Sequence, residues 1–214
     1  MVVPYLTFNK HAGVIVKKMG NSRPILCGVH HAENGDLYVT DSHRLYVAKN
    51  AQERKDGATI NPITGEVIDG QYPDVSRVIP ERFKAEYMIE RPKITLEALQ
   101  IAGLYDIAYE KRKKYDTLVA ICVEKDNETE RITYRTVNGF CKAEFTEAFG
   151  ASYVDLTDTQ RTIYVNLQYI IEALAFIIDV YGDKPVNVGL TGHMSPLLMW
   201  IGDVQALILP VRRN

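Results

Sequence analysis

Short runs of apolar and β-branched residues, bounded by turn-forming residues, dominate the pattern along the chain. Residues 37–40 and 44–48 follow the turn-forming stretch 33–36 and predict two strands. Further runs predict hairpins over residues 58–68 around Thr64-Gly65, over 118–123 and 131–136 around a turn at 125–128, and over 197–201 and 206–211 around Gly202-Asp203. The pattern therefore favours a protein built largely from antiparallel strands.

Fewer segments have the spacing of amphipathic helices. They are residues 11–19, residues 96–112 after Thr95, and residues 167–181 between Asn166 and Gly182. Threonine and asparagine are good N-caps, and glycine is typical just past the end of a helix, so the second and third segments are well delimited. The β-branched run at 14–16 lowers helix propensity, so the first segment is a weaker prediction.

A weak internal repeat divides the chain into two units. The order helix, strand, turn, strand occurs once before residue 41 and again before residue 137. Residues 71–80 contain Pro73 and Pro80 and are typical of a linker. We therefore predict domains at residues 1–75 and 76–214.

Composition narrows the class of protein without indicating a particular chemistry. The 214 residues are 46% hydrophobic and carry a formal net charge of −2, which is typical of a globular protein and argues against charge-driven wrapping of nucleic acid. Cys27, Cys122 and Cys141 lack a CxxC spacing, so we expect no disulfide framework or zinc site and a reducing, cytoplasmic location. The first residues lack a signal-peptide pattern, and the apolar stretch 170–180 is too short to span a membrane.

Several stretches resemble segments of the bacterial replicative sliding clamp, the beta subunit of DNA polymerase III. Residues 23–29 (RPILCGV) resemble the family's RPIL-x-G-V, and residues 39–45 (VTDSHRL) resemble its TDGHRL. Residues 72–80 (YPDVSRVIP) resemble FPDYRRVIP, and residues 206–212 (ALILPVR) resemble the family's ending YVVMPMR. Residues 165–169 (VNLQY) match the family's NVxY helix start. Each motif alone is weak, but their order and spacing together are specific.

The resemblance covers roughly residues 10–50 and nearly all of 71–214. It implies an α+β fold of two DNA-clamp-like domains, with antiparallel sheets outside and helices lining the inner face. The N-terminal unit would be a trimmed middle domain, and the C-terminal unit would be complete.

In the family these segments converge on a hydrophobic pocket that binds short linear peptides. The residues that the resemblance places in this pocket are Leu26, Thr40, His43, Arg44, Leu45, Pro73, Arg77, Val78, Tyr169, Met194, Leu207, Leu209, Pro210, Val211 and Arg212. Apolar side chains would anchor the peptide, while His43, Arg44 and Arg212 would fix its backbone and a glutamine-like end. DNA polymerase and a clamp loader would be the partners at this pocket.

The resemblance also implies a non-enzymatic ring that slides on duplex DNA and needs no cofactor. Loose phosphate contacts inside a mildly positive ring allow sliding because no base is read. The candidate DNA-facing residues are Lys17, Lys18, Arg23, Lys111, Arg112, Lys113 and Lys114.

Two domains, where the family has three, change the expected assembly. Residues 49–57 stand where the family's middle domain has a strand and a helix, and nothing corresponds to its first domain. Head-to-tail contacts can close a ring, and six domains would need three chains, so a homotrimer is favoured. The small size suggests a clamp encoded by a phage or mobile element.

Two other functions stay open. A monomeric clamp-fold adaptor or decoy would keep the peptide pocket without encircling DNA. A metal hydrolase could use His30, His31, Asp41 and His43, although successive residues of a strand point to opposite faces and would separate His30 from His31. His43 and Arg44 could also be ordinary surface residues, and the basic run 111–114 an ordinary solvated helix end.

Overall fold

The computed structural model describes residues 3–17, 19, 23–52, 54–110, 116–126, 129–137, 144–149 and 153–212. Its helices are α1 (Tyr5–Val16), α2 (Pro92–Glu110) and α3 (Leu167–Tyr181), with short 3-10 turns at Pro24–Cys27, Ser76–Val78 and Asp158–Gln160. Its strands are β1 (Val29–His31), β2 (Leu37–Thr40), β3 (Arg44–Ala48), β4 (Thr59–Ile60), β5 (Ala85–Ile89), β6 (Leu118–Asp126), β7 (Thr129–Val137), β8 (Glu144–Phe149), β9 (Tyr153–Val154), β10 (Thr162–Asn166), β11 (Val186–Leu190), β12 (Leu197–Ile201) and β13 (Val204–Ile208).

The strands form two antiparallel sheets. The larger sheet has nine strands in the order β4-β1-β2-β3-β13-β12-β11-β5-β9, and the smaller has four in the order β10-β6-β7-β8. The N-terminal unit contributes β1 to β4 to the larger sheet, and every other described strand comes from the C-terminal unit. The two units meet where β3 pairs with β13, with Leu45 opposite Leu207 and Arg44 opposite Ile208. One continuous sheet therefore spans both predicted units.

The main core lies between the sheets and the helices. Alternation along β3 puts Tyr46 and Ala48 into this core, while Leu45 and Val47 belong to a separate cluster on the opposite face. The ring of Tyr46 stacks on Phe176 of α3, with centroids 4.9 Å apart. Phe8 of α1 meets the same Phe176 edge to face at 5.6 Å. Helix α3 thus packs against both α1 and the place where β3 pairs with β13.

The prediction for α3 is confirmed at both ends. The side chain of Asn166 accepts hydrogen bonds from the backbone N–H groups of Gln168 and Tyr169, which makes it an N-cap. Gly182 follows the helix with a φ of 72°, a left-handed conformation that favours glycine. The apolar side of α3 packs under the sheet.

The predicted bounds of α1 were wrong. The helix begins at Tyr5 rather than at residue 11 and ends at Val16 rather than at residue 19. Phe8, Ala12 and Ile15 are fully buried. Tertiary burial of this stripe outweighs the small helix penalty of the β-branched run.

The predicted start of α2 was also wrong. The helix begins at Pro92, where the missing N–H of proline removes no intrahelical hydrogen bond. Thr95 lies inside the helix, and its hydroxyl donates to the backbone carbonyl of Arg91 at 3.2 Å instead of capping the helix. The predicted end at residue 112 lies outside the described residues.

The strand predictions are confirmed with changes at some ends. Strands β2 and β3 have the predicted bounds, and β6 and β7 extend beyond theirs. The hairpin at 58–68 consists of β4 and an isolated bridge between Ile60 and Val67. Strand β13 ends at Ile208, short of the predicted residue 211, because Leu209 and the following proline leave the ladder with β12.

The predicted order helix, strand, turn, strand occurs twice, as α1-β1-β2 and α2-β6-β7. The two hairpins lie in different sheets, so the repeated segments occupy different structural positions. The boundary between residues 75 and 76 remains a prediction. Within the described ranges, no helix is both long and apolar enough to cross a bilayer.

Candidate functional site

The face of the larger sheet that points away from the helices carries an outer apolar cluster at the junction of the two units. Its buried members are Leu45 and Val47 of β3, Leu207 of β13 and Leu198 of β12. The strand register places Leu198, Leu207 and Leu45 side by side. Each unit thus supplies part of one apolar surface.

Residues 72–83 cross this face, and we call them the strap. Val75, Ile79 and Phe83 pack against the outer apolar cluster. Phe83 stacks on Trp200 with ring centroids 5.1 Å apart. It also lies over Gly189, where an added Cβ would meet the Phe83 ring at 2.4 Å. The strap is therefore held in place by Val75, Ile79 and Phe83, which pack against the sheet.

The predicted pocket residues of the strap are on its open side. Pro73, Arg77 and Val78 are exposed, and Val78 is 48% exposed although it is apolar. Arg77 pairs with Asp74 at 2.8 Å on the protein surface. These residues border the outer apolar cluster and are accessible to a partner.

The C-terminal segment closes another side of the cluster. The N–H of Leu209 donates to the carbonyl of His43 at 2.8 Å, and the N–H of Val211 donates to the carbonyl of Tyr164 at 2.7 Å. The side chain of Leu209 is half-buried against the cluster. Pro210 and Val211 are half-buried, and Arg212 is exposed. The structure therefore brings this predicted segment next to β3.

His43 and Tyr169 form a stacked polar pair, which we call the rim: His43 adjoins the C-terminal segment through the hydrogen bond from Leu209, and Tyr169 packs against the main core. Their rings stack with centroids 6.4 Å apart and an interplanar angle of 24°. His43 is exposed and Tyr169 is half-buried. Burial raises the pKa of Tyr169, so its hydroxyl is neutral and able to donate a hydrogen bond near neutral pH.

Arg44 does not belong to this rim. It points to the helix side of β3, is 1% exposed, and forms ion pairs with Asp41 and Glu172. The expectation that Arg44 fixes the backbone of a bound peptide conflicts with this geometry. Because side chains alternate along a strand, Leu45 and Arg44 cannot both face outward.

The other predicted pocket residues have different positions. Leu26 is buried in the Pro24–Cys27 turn, and the hydroxyl of Thr40 donates to the carbonyl of Arg44 at 2.6 Å. Met194 is 46% exposed on the connection between β11 and β12. Leu26 and Thr40 therefore support the local fold.

Sequence reasoning missed several residues of this surface. They are Tyr38, Val47, Val75, Ile79, Phe83, Leu198 and Trp200. Alternation along β3 and along 197–201 was the available signal, since Val47, Leu198 and Trp200 occupy outward positions. The role of Phe83 depends on a contact between distant segments, which no local pattern shows.

The candidate DNA-facing residues are only partly described. Lys17 and Arg23 are exposed, and Arg23 donates to the hydroxyl of Ser42 at 3.0 Å. Lys18, Lys111, Arg112, Lys113 and Lys114 lie outside the described residues. The three helices carry two lysines and five carboxylate residues, namely Lys10, Lys93, Glu97, Asp106, Glu110, Glu172 and Asp179. The helices themselves thus bear net negative charge.

His30 and His31 lie on opposite faces of the sheet, as the strand alternation predicts. His31 is buried beside α1, with Nε2 3.0 Å from the hydroxyl of Tyr5, whereas His30 stacks on Tyr72 of the strap at 4.6 Å. No group of three potential metal ligands occurs among the residues that the structure describes. Cys27 and Cys122 are free thiols.

Two cavities lie away from the outer apolar cluster. One of about 410 Å³ lies between α2 and α3 and is lined by Gly103, Leu104 and Ile171 among others. One of about 450 Å³ lies between the end of α1 and the 58–68 hairpin.

Comparison with solved structures shows that this is the sliding-clamp fold. The DNA polymerase sliding clamp from Bacillus subtilis superposes with a TM-score of 0.70 and 24% identity, over 99% of this chain and 64% of that one. The beta subunit of DNA polymerase from Streptococcus pyogenes gives 0.71 and 19%, over 100% and 68%. The clamp from Pseudomonas aeruginosa gives 0.73 and 15%, over 97% and 64%.

The chain thus spans about two thirds of the length of these clamps. No protein-family model matches the sequence, and no curated protein sequence matches it. The similarity is therefore one of fold.

Proposed function

We propose that this protein is a non-enzymatic DNA sliding clamp that encircles duplex DNA and tethers a DNA polymerase and a clamp loader by short peptide motifs. The observation that carries the proposal is the outer apolar cluster, which both units build together on the side of a clamp fold that points away from the helices. A surface made at a domain junction, with apolar floor and polar rim, is suited to an extended peptide.

The peptide would lie between the strap and the C-terminal segment. The half-buried Leu209 and the exposed Val78 would offer apolar contact, and the buried Leu45 and Leu207 would form the floor beneath them. His43, Tyr169 and Arg212 would bind the polar groups of the peptide from the rim. Pro73, Arg77, Pro210 and Val211 would line its sides. Leu26, Thr40 and Arg44 would not contact the peptide; they would stabilise the segments that carry the contacting residues.

The ring itself would form from two-domain chains joined head to tail, with three chains supplying six domains. Lys17 and Arg23, together with the basic run at 111–114, would provide the positive inner charge. Because the helices bear net negative charge, these residues would contribute most of the attraction for phosphate.

A monomeric adaptor is the second candidate. Helix α2 exposes the apolar residues Ile101 and Leu104, at 67% and 65%. A helix that lines a hole containing DNA would not require exposed apolar residues. The N-terminal unit contributes strands to only one of the two described sheets. Such a protein would bind the peptide motifs that recognise clamps without enclosing DNA.

Light scattering combined with size exclusion separates these candidates. A ring predicts an oligomer, with a mass near three times the 24.2 kDa chain, and retention on nicked circular DNA that is lost when the DNA is linearised. Reversing the charges at Lys111–Lys114 should reduce that retention without changing the mass. A strictly monomeric species at high concentration would contradict the ring and leave the adaptor.

A further inference from the structure

Beneath the rim of the proposed peptide surface, charged side chains from both units form a buried network. Arg44 on β3 donates from Nε to Asp41 at 3.0 Å and from Nη1 to Glu172 on α3. The amide of Gln168 donates to the other oxygen of Glu172 at 3.0 Å. Arg44 and Asp41 belong to the N-terminal unit and Glu172 to the C-terminal unit, so the network joins the two.

The same network supports the rim residues. The guanidinium carbon of Arg44 lies 4.5 Å from the centroid of the Tyr169 ring, within the range of a cation–π contact. The carboxylate of Asp41 accepts hydrogen bonds from the backbone N–H groups of His43 and Arg44, both at 3.0 Å. Asp41 thus holds the loop that presents His43, while Arg44 supports the ring on which His43 stacks.

The charge on Arg44 is maintained inside the protein. Burial opposes this charge, but Tyr46, Glu172 and Asp41 together raise the pKa of Arg44. A guanidinium is planar with donors in a fixed fork, so ion pairs on two sides determine the plane that it presents to Tyr169. Asp41 and Glu172 therefore control how Arg44 lies against the Tyr169 ring, although neither carboxylate is part of the proposed peptide surface.

We propose that Glu172 and Asp41 are positioning residues for the peptide surface, because they hold Arg44 against Tyr169 and so fix the rim formed by Tyr169 and His43. This inference rests on the proposed peptide-binding function. It assigns to two carboxylates a role in recognition, although neither would touch the peptide.

Glu172→Gln tests this role, with Asp179→Asn as the matched control. Both changes remove a carboxylate from α3 that pairs with the N-terminal unit, since Asp179 lies 2.8 Å from His11 of α1. We expect Glu172→Gln to raise the Kd of a fluorescent QLxLF-type peptide about tenfold, and Asp179→Asn to change it less than about twofold. A purely structural role predicts lower thermal stability for both variants and an unchanged Kd for both.

Fluorine NMR of protein labelled with 3-fluorotyrosine provides a second readout. The Tyr169 resonance is identified by its loss in Tyr169→Phe. We expect it to shift or broaden in Glu172→Gln and to stay unchanged in Asp179→Asn. Arg44→Lys is a second variant if Glu172→Gln does not fold: it keeps the charge but cannot bridge both carboxylates, so its Kd should also rise.

Folded Glu172→Gln with an unchanged Kd and an unchanged Tyr169 resonance would overturn the positioning role, as would Arg44→Lys with wild-type affinity. If the wild-type protein itself does not bind the peptide, the proposed peptide-binding function fails, and this inference fails with it. The wild-type titration therefore distinguishes the two failures.

Discussion

The two faces of the sheet at the β3–β13 junction differ in an unexpected way. The helix face, which is fully covered, contains Arg44 with its partners Asp41 and Glu172. The outer face carries Leu45, Leu207 and Leu198, which are only 2–3% exposed beneath the strap. Both faces are thus covered here and apolar residues are expected on both, so the buried charge of Arg44 beside the main core is the exception.

This difference indicates what each face does. A buried ion network contributes little net stability against its desolvation cost, but it fixes geometry because a misplaced partner is strongly unfavourable. Beside the outer cluster, the half-buried Leu209 and the exposed Val78 and His43 form an edge that is accessible to a partner. We therefore expect the helix face to set the arrangement of the two units and this edge to be the side that binds.

The largest effect should come from breaking the ion network. Arg44→Met leaves two buried carboxylates without their cation, and we expect a loss of about 3–5 kcal/mol in the free energy of unfolding. Arg77→Met on the strap is the control, because the Arg77–Asp74 pair is exposed and its loss should leave the free energy of unfolding almost unchanged. Urea denaturation followed by circular dichroism measures both. Equal stabilities for the two variants would show that the network is not structural.

Neighbouring residues of β13 offer a direct test of the two faces. Ile208 lies in the main core and Leu207 in the outer apolar cluster. We expect Ile208→Ala to lower the free energy of unfolding by about 3 kcal/mol and Leu207→Ala by roughly 1 kcal/mol less, because the outer cluster is thinner and can relax. Peptide affinity should fall only in Leu207→Ala. The opposite pattern of affinity would place the binding surface on the helix side.

The smallest effect concerns pH. Burial lowers the pKa of both His31 on the helix face and His30 on the outer face below the reference value of 6.5. Unfolded histidines then take up protons before folded ones, so stability should be greatest above about pH 7 and should fall as the pH drops below 6.5.

His31→Gln should make this pH dependence shallower when melting temperatures are compared at pH 7.5 and 5.5. A wild-type protein with equal stability at both values would show that neither histidine is linked to folding in this range. A variant as steep as the wild type would exclude His31 as the source.

Much of the fold could be predicted from local sequence. Asn166 and Gly182 delimit α3 because caps have a local chemical cause, and the motif at 39–45 lies at the predicted turn into β3. The start of α1 could not be predicted, because it depends on Phe8 meeting Phe176 across the molecule. Tertiary contacts of this kind leave no periodic signal in a short segment.

The segments that form the candidate site could be predicted from the sequence, but which of their side chains face it could not. The motifs at 39–45, 72–80 and 206–212 do meet in space at the outer face. The direction of Arg44 was missed, because its motif contains both Arg44 and Leu45 and does not specify which faces outward. Strand register, which depends on β13, decides that question.

The proposed binding of replication-protein peptides beside the outer apolar cluster can be measured by fluorescence polarisation with a QLxLF-type peptide. Leu209→Ala is the variant, and Met88→Ala, at an exposed residue of β5 in the same sheet, is the control. We expect saturable binding to the wild type, about tenfold weaker binding to Leu209→Ala, and no change in Met88→Ala. Equal affinity of Leu209→Ala and wild type, or no binding to either, would contradict it.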